Sequence, residues 1–381
     1  MFKVEFYIID AFEIYHFLPI YKAILYHNEL EANFVIEPPS TNTAGPWVNY
    51  HDATNILESI KISYSTVSNT NAKIAITTQS VDHILHYKNL KVRLMYGVGL
   101  TRDYFSYRKE ASHGFDGLLV NGNYKVTQLK KFISKNRIKT VGYPKHDIFF
   151  HNKMCINNIL ADYKLDNNKK NVIYFPTWDS DSAIKKFYEE LVKLKQDYNI
   201  LVKPHHCTAR GLAVNKEDLE NLKDIATTIL NEHISLSEFC TIADLIIVDA
   251  KSGALTEAIY LNYQIPIIAL SPRSNLAKHF YKEAFLVAPI LNSPIKLLAT
   301  IKNMLTNDKY KYNRKKYSNM FYKSSRGNDS QKAISVIKEL LTYTQISQHK
   351  PRNLFRKAIK LKIEYIINNI KYQVRKTLLH K

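Results

Sequence analysis

Cysteine is scarce in this chain of 381 residues: Cys155, Cys207 and Cys240 stand at no paired spacing. That excludes a disulfide framework and a zinc-cluster signature, and it fits a reducing compartment. No stretch approaches the ~18 uninterrupted apolar residues of a membrane span. The opening MFKVEFYIIDAF holds Lys3 and Glu5 inside a short strand-like run and does not read as a signal peptide. No DxD motif closes a strand, so no metal and no cofactor is expected. No RRM or KH signature is present, which makes nucleic acid an unlikely partner. Acids are short as well: 34 Asp and Glu face 54 Lys and Arg, a formal charge of +20. Such an imbalance implies an anionic partner, either anionic lipid or a phosphorylated substrate once nucleic acid is set aside.

What is present is globular, with 45% hydrophobic and 12% aromatic residues and ten glycines. The length suits two domains of about 150 to 200 residues each. Short apolar runs alternate with amphipathic segments: FKVEFYIID, NFVIEP, AKIAITTQ, LKVRLMY, FDGLLVN and IKTVG read as strands with helices between them. A polar, weakly patterned region over 155–168 places a boundary, after which KNVIYFP, NILVKP, LIIVD and PIIAL continue the alternation. This pattern predicts doubly wound parallel sheets. The expected organisation is an N-terminal domain over 1–150, a second over 151–345 and a basic amphipathic helix over 346–381.

The second series centres on Ile242 to Leu270: a strand over Leu245 to Val248, a polar turn Asp249 to Gly253, a helix Ala254 to Leu261 and a second strand from Pro266. In open α/β sheets the carboxyl end of a strand is where ligands bind, with helix N-terminal amides turned to an anion. Asp249, Lys251, Ser252 and Gly253 are therefore donor-binding candidates. Ser252 is placed to cap the helix, and Glu257, one turn in, to meet a sugar or ribose hydroxyl. A capped turn with an ordinary helix glutamate is the alternative.

Four motifs follow in order: VGYPKHD (Val141 to Asp147), VIYFPTWDSD (Val172 to Asp181), LVKPHH (Leu201 to His206) and ADLIIVDAKSGALTEA (Ala243 to Ala258). Together they resemble the CDP-glycerol glycerophosphotransferase family, the teichoic-acid primases and polymerases. The resemblance implies a GT-B fold, two facing Rossmann-like domains with parallel sheets. It also implies transfer of a glycerol-phosphate or other polyol-phosphate unit from a CDP-activated donor to a membrane-linked acceptor. Two departures stand out. Tyr96-Gly97-Val98 occupies the place of the family's His-Gly-Thr, and Asp249-Ala250-Lys251-Ser252 that of its Asp-Tyr-Ser-Ser.

On physical grounds, Lys203, His205 and His206 at a strand exit can neutralise a diphosphate and give a proton to its leaving oxygen. The resemblance selects His205 as catalytic, because it matches the family's Lys-x-His. Pro176, Thr177 and Trp178 leave the preceding strand, where a hydroxyl and an indole can hold a phosphate and a flat ring; the alternative is a turn with an interdomain tryptophan. Gly142, Tyr143 and Pro144 form a turn that aims Lys145 at the cleft. With Tyr96 in the histidine's place, the candidates for the acceptor's base are His16, near the top of the first strand, His113 and Asp103, and the sequence leaves the choice open.

From Lys350 to Lys381 ten Lys or Arg face one acid, Glu364, and Phe355, Ile359, Ile363, Ile366, Ile370 and Val374 form one stripe. That reads as a helix lying on an anionic membrane, at its cytoplasmic face; packing back on the N-terminal domain is the alternative. Lys309 to Lys323 is a second basic, aromatic-rich stretch. Other readings are a GT-B glycosyltransferase using a nucleotide sugar and an inactive GT-B-like scaffold.

Overall fold

The computed structural model describes residues 1–36, 50–67, 71–79, 84, 87, 89–98, 100, 114–151, 163–211, 217–230, 236–276, 280, 282–323 and 326–347. Cys155, His113, Asp103 and the expected basic helix from 348 onward lie outside them. The first half builds one sheet from β1 (Phe2–Tyr7), β2 (Leu30–Val35), β3 (Tyr64–Ser65), β4 (Ile74–Thr77), β5 (Leu90–Leu94), β6 (Gly117–Val120) and β7 (Ile138–Thr140). Their order is β3-β2-β1-β4-β5-β6-β7, and every pairing is parallel.

The second sheet holds β8 (Lys170–Phe175), β9 (Tyr198–Val202), β10 (Thr228–Ile229), β11 (Leu245–Asp249), β12 (Ile267–Leu270) and β13 (Ile290–Leu291). Its order is β10-β9-β8-β11-β12-β13, again all parallel. The expected pair of parallel α/β sheets is what the chain forms. The two-residue strands β3, β10 and β13 lie at or near the sheet edges, where a pair of residues gives little periodicity to read.

Alternation along each strand explains why the sheets are buried on both sides. Val4 and Phe6 enter one core with Phe17 and Ile20 of the helix Ile14–Ile24, whereas Tyr7 enters the opposite core with Val35, Ala75 and Val120. In the second sheet Ile173 and Phe175 face one side, Val172 and Tyr174 the other. The helix Asp329–Ser347 returns to the first half, placing Ala333, Ile334, Ile337, Leu340 and Leu341 in the core beside Val4 and Phe6. One core spans both halves, because Val98, Leu100, Tyr124 and Tyr143 pack with Phe239, Leu255, Phe321 and Tyr322.

Topology locates the cleft. Strand order reverses between β1 and β4 in the first sheet and between β8 and β11 in the second. The chain leaving such adjacent strands in opposite directions opens a crevice at their carboxyl ends. In this chain those crevices are bounded by residues 8–13 and 77–79 on one side and by 176–182 and 249–253 on the other.

Candidate active site

The second sheet's crevice is shaped by Asp249. Its carboxylate accepts hydrogen bonds from Tyr174 Oη (2.8 Å), the Thr177 amide (2.8 Å) and the Ala183 amide (3.2 Å). The residue is fully buried, and burial pushes its carboxyl up to about 7 against the pull of those three donors. Asp249 therefore ties the 176–183 loop to β11 with its carboxylate bonded inside the protein. Pro176 is buried in the same loop, whereas Thr177 and Trp178 are partly exposed.

The turn after β11 is open. A Cβ built on exposed Gly253 would meet nothing within 4 Å, and the helix Ala254–Leu261 begins beyond it. Ser252 accepts from the Ala254 amide at 3.2 Å, so it satisfies one helix-end donor as expected, from outside the cap position held by Gly253. Lys251 pairs with Asp181 at 3.2 Å, and Arg273, which follows β12, grips the same carboxylate. Two cations against one acid leave this edge positive. Asp181 closes the VIYFPTWDSD motif, whereas Arg273 lies in no motif, and adjacency of β8, β11 and β12 is what joins them.

Beyond β9 lie Lys203, His205 and His206, all partly exposed. His205 Nδ1 accepts from the Cys207 amide at 3.2 Å, so that nitrogen is unprotonated and Nε2 carries the ring's hydrogen. Burial, then His206, Lys203 and Arg210, push His205 down to about 2. In the resting protein it is thus a neutral hydrogen-bond donor. Its ring stacks on Trp178 with centroids 5.7 Å apart and planes at 10°, and it lies 4.1 Å from the His206 ring.

The ligand atoms of His205, His206 and Cys207 lie within 4.8 Å of one another and could hold a metal ion. A strand exit turning into the short helix His206–Ala209 gathers these three consecutive side chains. Burial raises the Cys207 thiol to about 11, so it stays protonated without a cation beside it.

The first half closes over this edge. Arg210 reaches Asp10, just past β1, at 3.1 Å and Asp52 at 3.3 Å. Phe12 stacks on His206 with centroids 5.4 Å apart. His16 is buried, with Tyr96 at 4.8 Å and Tyr143 at 5.8 Å between ring centroids. Burial and then Lys145 hold its imidazole well below 6.5, which keeps it neutral. Behind it Glu13 is fully buried, accepts from the Ile9 and Asp10 amides at 2.7 and 2.9 Å and from Thr78 Oγ1, and is raised to about 7 by desolvation. Glu13 is a brace for the β1 exit.

Glu257 is held by the first half. Its carboxylate accepts from Lys145 Nζ (2.9 Å), His146 Nε2 (2.6 Å) and Tyr143 Oη (3.2 Å), all from the first half. Burial acts to raise it, but Lys145 and His146 outweigh that and hold it well below the usual carboxylate range. His146, kept neutral by burial, spends its one hydrogen on Glu257, and its buried Nδ1 has no hydrogen-bond partner among the described residues. The turn that presents this trio needs Gly142: φ is +82°, and a Cβ would lie 2.3 Å from the Asp329 carboxylate. That carboxylate accepts from the Tyr143 amide at 2.8 Å and Tyr260 Oη at 3.1 Å.

Two parallel sheets with opposed carboxyl edges and a cleft between them define the GT-B fold class. Residues 101–339 match the model of the CDP-Glycerol:Poly(glycerophosphate) glycerophosphotransferase family, and the chain belongs to that family. It is 24% identical over 274 residues to a teichoic acid poly(glycerol phosphate) polymerase of Staphylococcus epidermidis, covering 66% of this chain and 36% of the relative. It is 27% identical over 236 residues to a teichoic acid glycerol-phosphate primase of Bacillus spizizenii, covering 59% of this chain and 58% of that one. The chain thus spans between a third and three fifths of these relatives' length. A solved structure of the wall teichoic acid polymerase TagF with CDPG superposes with a TM-score of 0.61 at 17% identity, covering 90% of this chain and 89% of that chain. S. aureus MnaA with UDP superposes at 0.62 with 13% identity, covering 92% and 99%. No helix among the described residues is long and apolar enough to cross a membrane.

Proposed function

We propose that the protein is a transferase that moves a glycerol-phosphate, or another polyol-phosphate, from a CDP-activated donor to a membrane-linked acceptor in cell-surface polymer synthesis. The observation that carries this is the positive, open edge of the second sheet, formed by Lys203, His205, Lys251, Ser252 and Gly253, opposite His16 in a chain of this family. The donor's diphosphate lies against the Ser252–Gly253 turn and His205 Nε2, and the cytosine ring lies near Trp178. An acceptor hydroxyl attacks the donor's β-phosphorus, a new P–O bond forms, and the bond to the bridging oxygen breaks to release CMP. His16 takes the hydroxyl proton. A negative diphosphate raises the proton affinity of His205 as it binds, and positioning with electrostatics does most of the work. The acceptor places the protein at the cytoplasmic face of the membrane.

The nucleotide-sugar reading rests on the Ser252–Gly253 turn together with Glu257, and the engagement of the Glu257 carboxylate by three first-half donors speaks against its second part. The test is product analysis with labelled CDP-glycerol and a membrane-linked acceptor. CMP release with label passing to the lipid fraction supports transfer. Label moving from a UDP-hexose and not from CDP-glycerol would replace it with sugar transfer.

A further inference from the structure

The helix Lys311–Phe321 carries a face that the proposed chemistry does not use. From Lys309 to Asn328 there is no acid, against seven basic residues. One of these, Arg314, turns inward: it is fully buried, bonds the Tyr263 carbonyl at 2.9 Å and pairs with Asp308, so the nearest acid is already neutralised. Lys309, Lys311, Lys315, Lys316 and Lys323 remain exposed, and Tyr312 is 77% exposed.

Helical spacing puts 311, 312, 315, 316 and 319 on one side, opposite the buried Arg314, Ser318 and Phe321. Lys309 and Lys316 lie over the rings of Tyr310 and Tyr317, 5.5 and 5.9 Å from their centroids. The adjoining helix Lys282–Val287 adds one base and one acid, Lys282 and Glu283, and leaves the balance unchanged. The face is rigidly mounted. The Phe321 carbonyl sits 2.4 Å from where a Cβ on Gly122 would be, the Lys323 amide donates to the Asn121 carbonyl at 2.9 Å, and Tyr322 stacks on Tyr143 at 5.2 Å. The helix therefore grips both halves one residue away from the rings that surround His16.

We propose that this face is where the protein lies on an anionic bilayer, with its lysines at the headgroup phosphates and Tyr312 at the interface. Lysines one turn apart on a straight, exposed helix face suit a plane of negative headgroups, and a lone exposed aromatic suits the boundary region. The surface stands on charge and exposure alone. Only its purpose, bringing the cleft to a membrane-linked acceptor, rests on the proposed transfer.

The test is co-sedimentation of the full chain with vesicles of phosphatidylglycerol and phosphatidylcholine, or of phosphatidylcholine alone. Each lysine near such a surface contributes roughly fivefold in binding. Combined Lys309→Gln, Lys311→Gln, Lys315→Gln and Lys316→Gln is predicted to weaken binding to the anionic vesicles roughly 600-fold. Tyr312→Ser weakens it further, and neither set alters thermal stability or stabilisation by CDP-glycerol. Unchanged sedimentation of the quadruple variant would overturn the proposal. So would wild-type protein that prefers a single-stranded RNA oligomer to the vesicles and loses only the RNA in the variant. Loss of vesicle binding in a protein that no nucleotide stabilises supports the surface while sinking the transfer reading.

Discussion

A histidine's charge is set by what its two nitrogens touch, and His205 shows it. The Cys207 amide occupies Nδ1, so Nε2 carries the hydrogen that is left to donate. Removing that donor in His205→Ala is predicted to lower transfer about 100-fold while the protein stays folded; an unchanged turnover number would remove His205 from the chemistry. Glu257 belongs to stability. Glu257→Gln is expected to lower unfolding free energy by about 2 kcal/mol, because it weakens a charge-assisted bond to half-buried Lys145. The sign with pH follows from its depressed carboxyl. The contribution is fully present above the ordinary 4.5 and is lost as pH falls through the lower folded value. Wild type and variant should therefore differ in thermal midpoint at neutral pH and converge in acid. His146, His205, His206, the Lys251–Gly253 turn and Tyr143 were legible in the sequence because each sits at a strand exit or in an ordered motif. Asp10, Phe12 and Arg210 were not, since their roles arise only when the halves meet across some 200 residues of chain.

At the scale of elements, the strand cores were readable as apolar runs bounded by turn residues, and the helix Ala254–Leu261 occupies the expected residues. The helix Asp329–Ser347 was not among the elements read from the sequence, and it packs on the first half. Glycines in two turns make opposite predictions. Gly142→Ala forces a side chain into left-handed backbone and against Asp329, costing at least ~1–2 kcal/mol in denaturant unfolding. Gly253→Ala, at φ −60° with open space around it, should stay within about 0.5 kcal/mol of wild type. Its effect should appear in donor affinity, because the added methyl narrows the floor on which a diphosphate would rest.

At the scale of the whole molecule, the halves are joined by a shared apolar core and by two polar clamps, Arg210 with Asp10 and Asp52, and Glu257 with the 143–146 turn. His16, His146 and His205 are held neutral at that junction. An unfolded chain takes up protons on them below the ordinary 6.5, whereas the folded one does not until lower pH, so their stability contribution is present above 6.5 and declines on acidification. Replacing His205 by Gln should flatten the fall of the thermal midpoint between pH 6.5 and 5; an equally steep fall would place the acid sensitivity elsewhere. The central claim, a cytidine-activated donor at the second sheet's edge, is tested most directly by thermal stabilisation with CDP-glycerol, CDP-ribitol, CMP, UDP and UDP-hexoses. A ligand at 100 times its dissociation constant adds about 2.7 kcal/mol. Stabilisation by the cytidine compounds alone, lost in Ser252→Ala, is the predicted result; stabilisation by the uridine compounds alone, or by none of them, would contradict it.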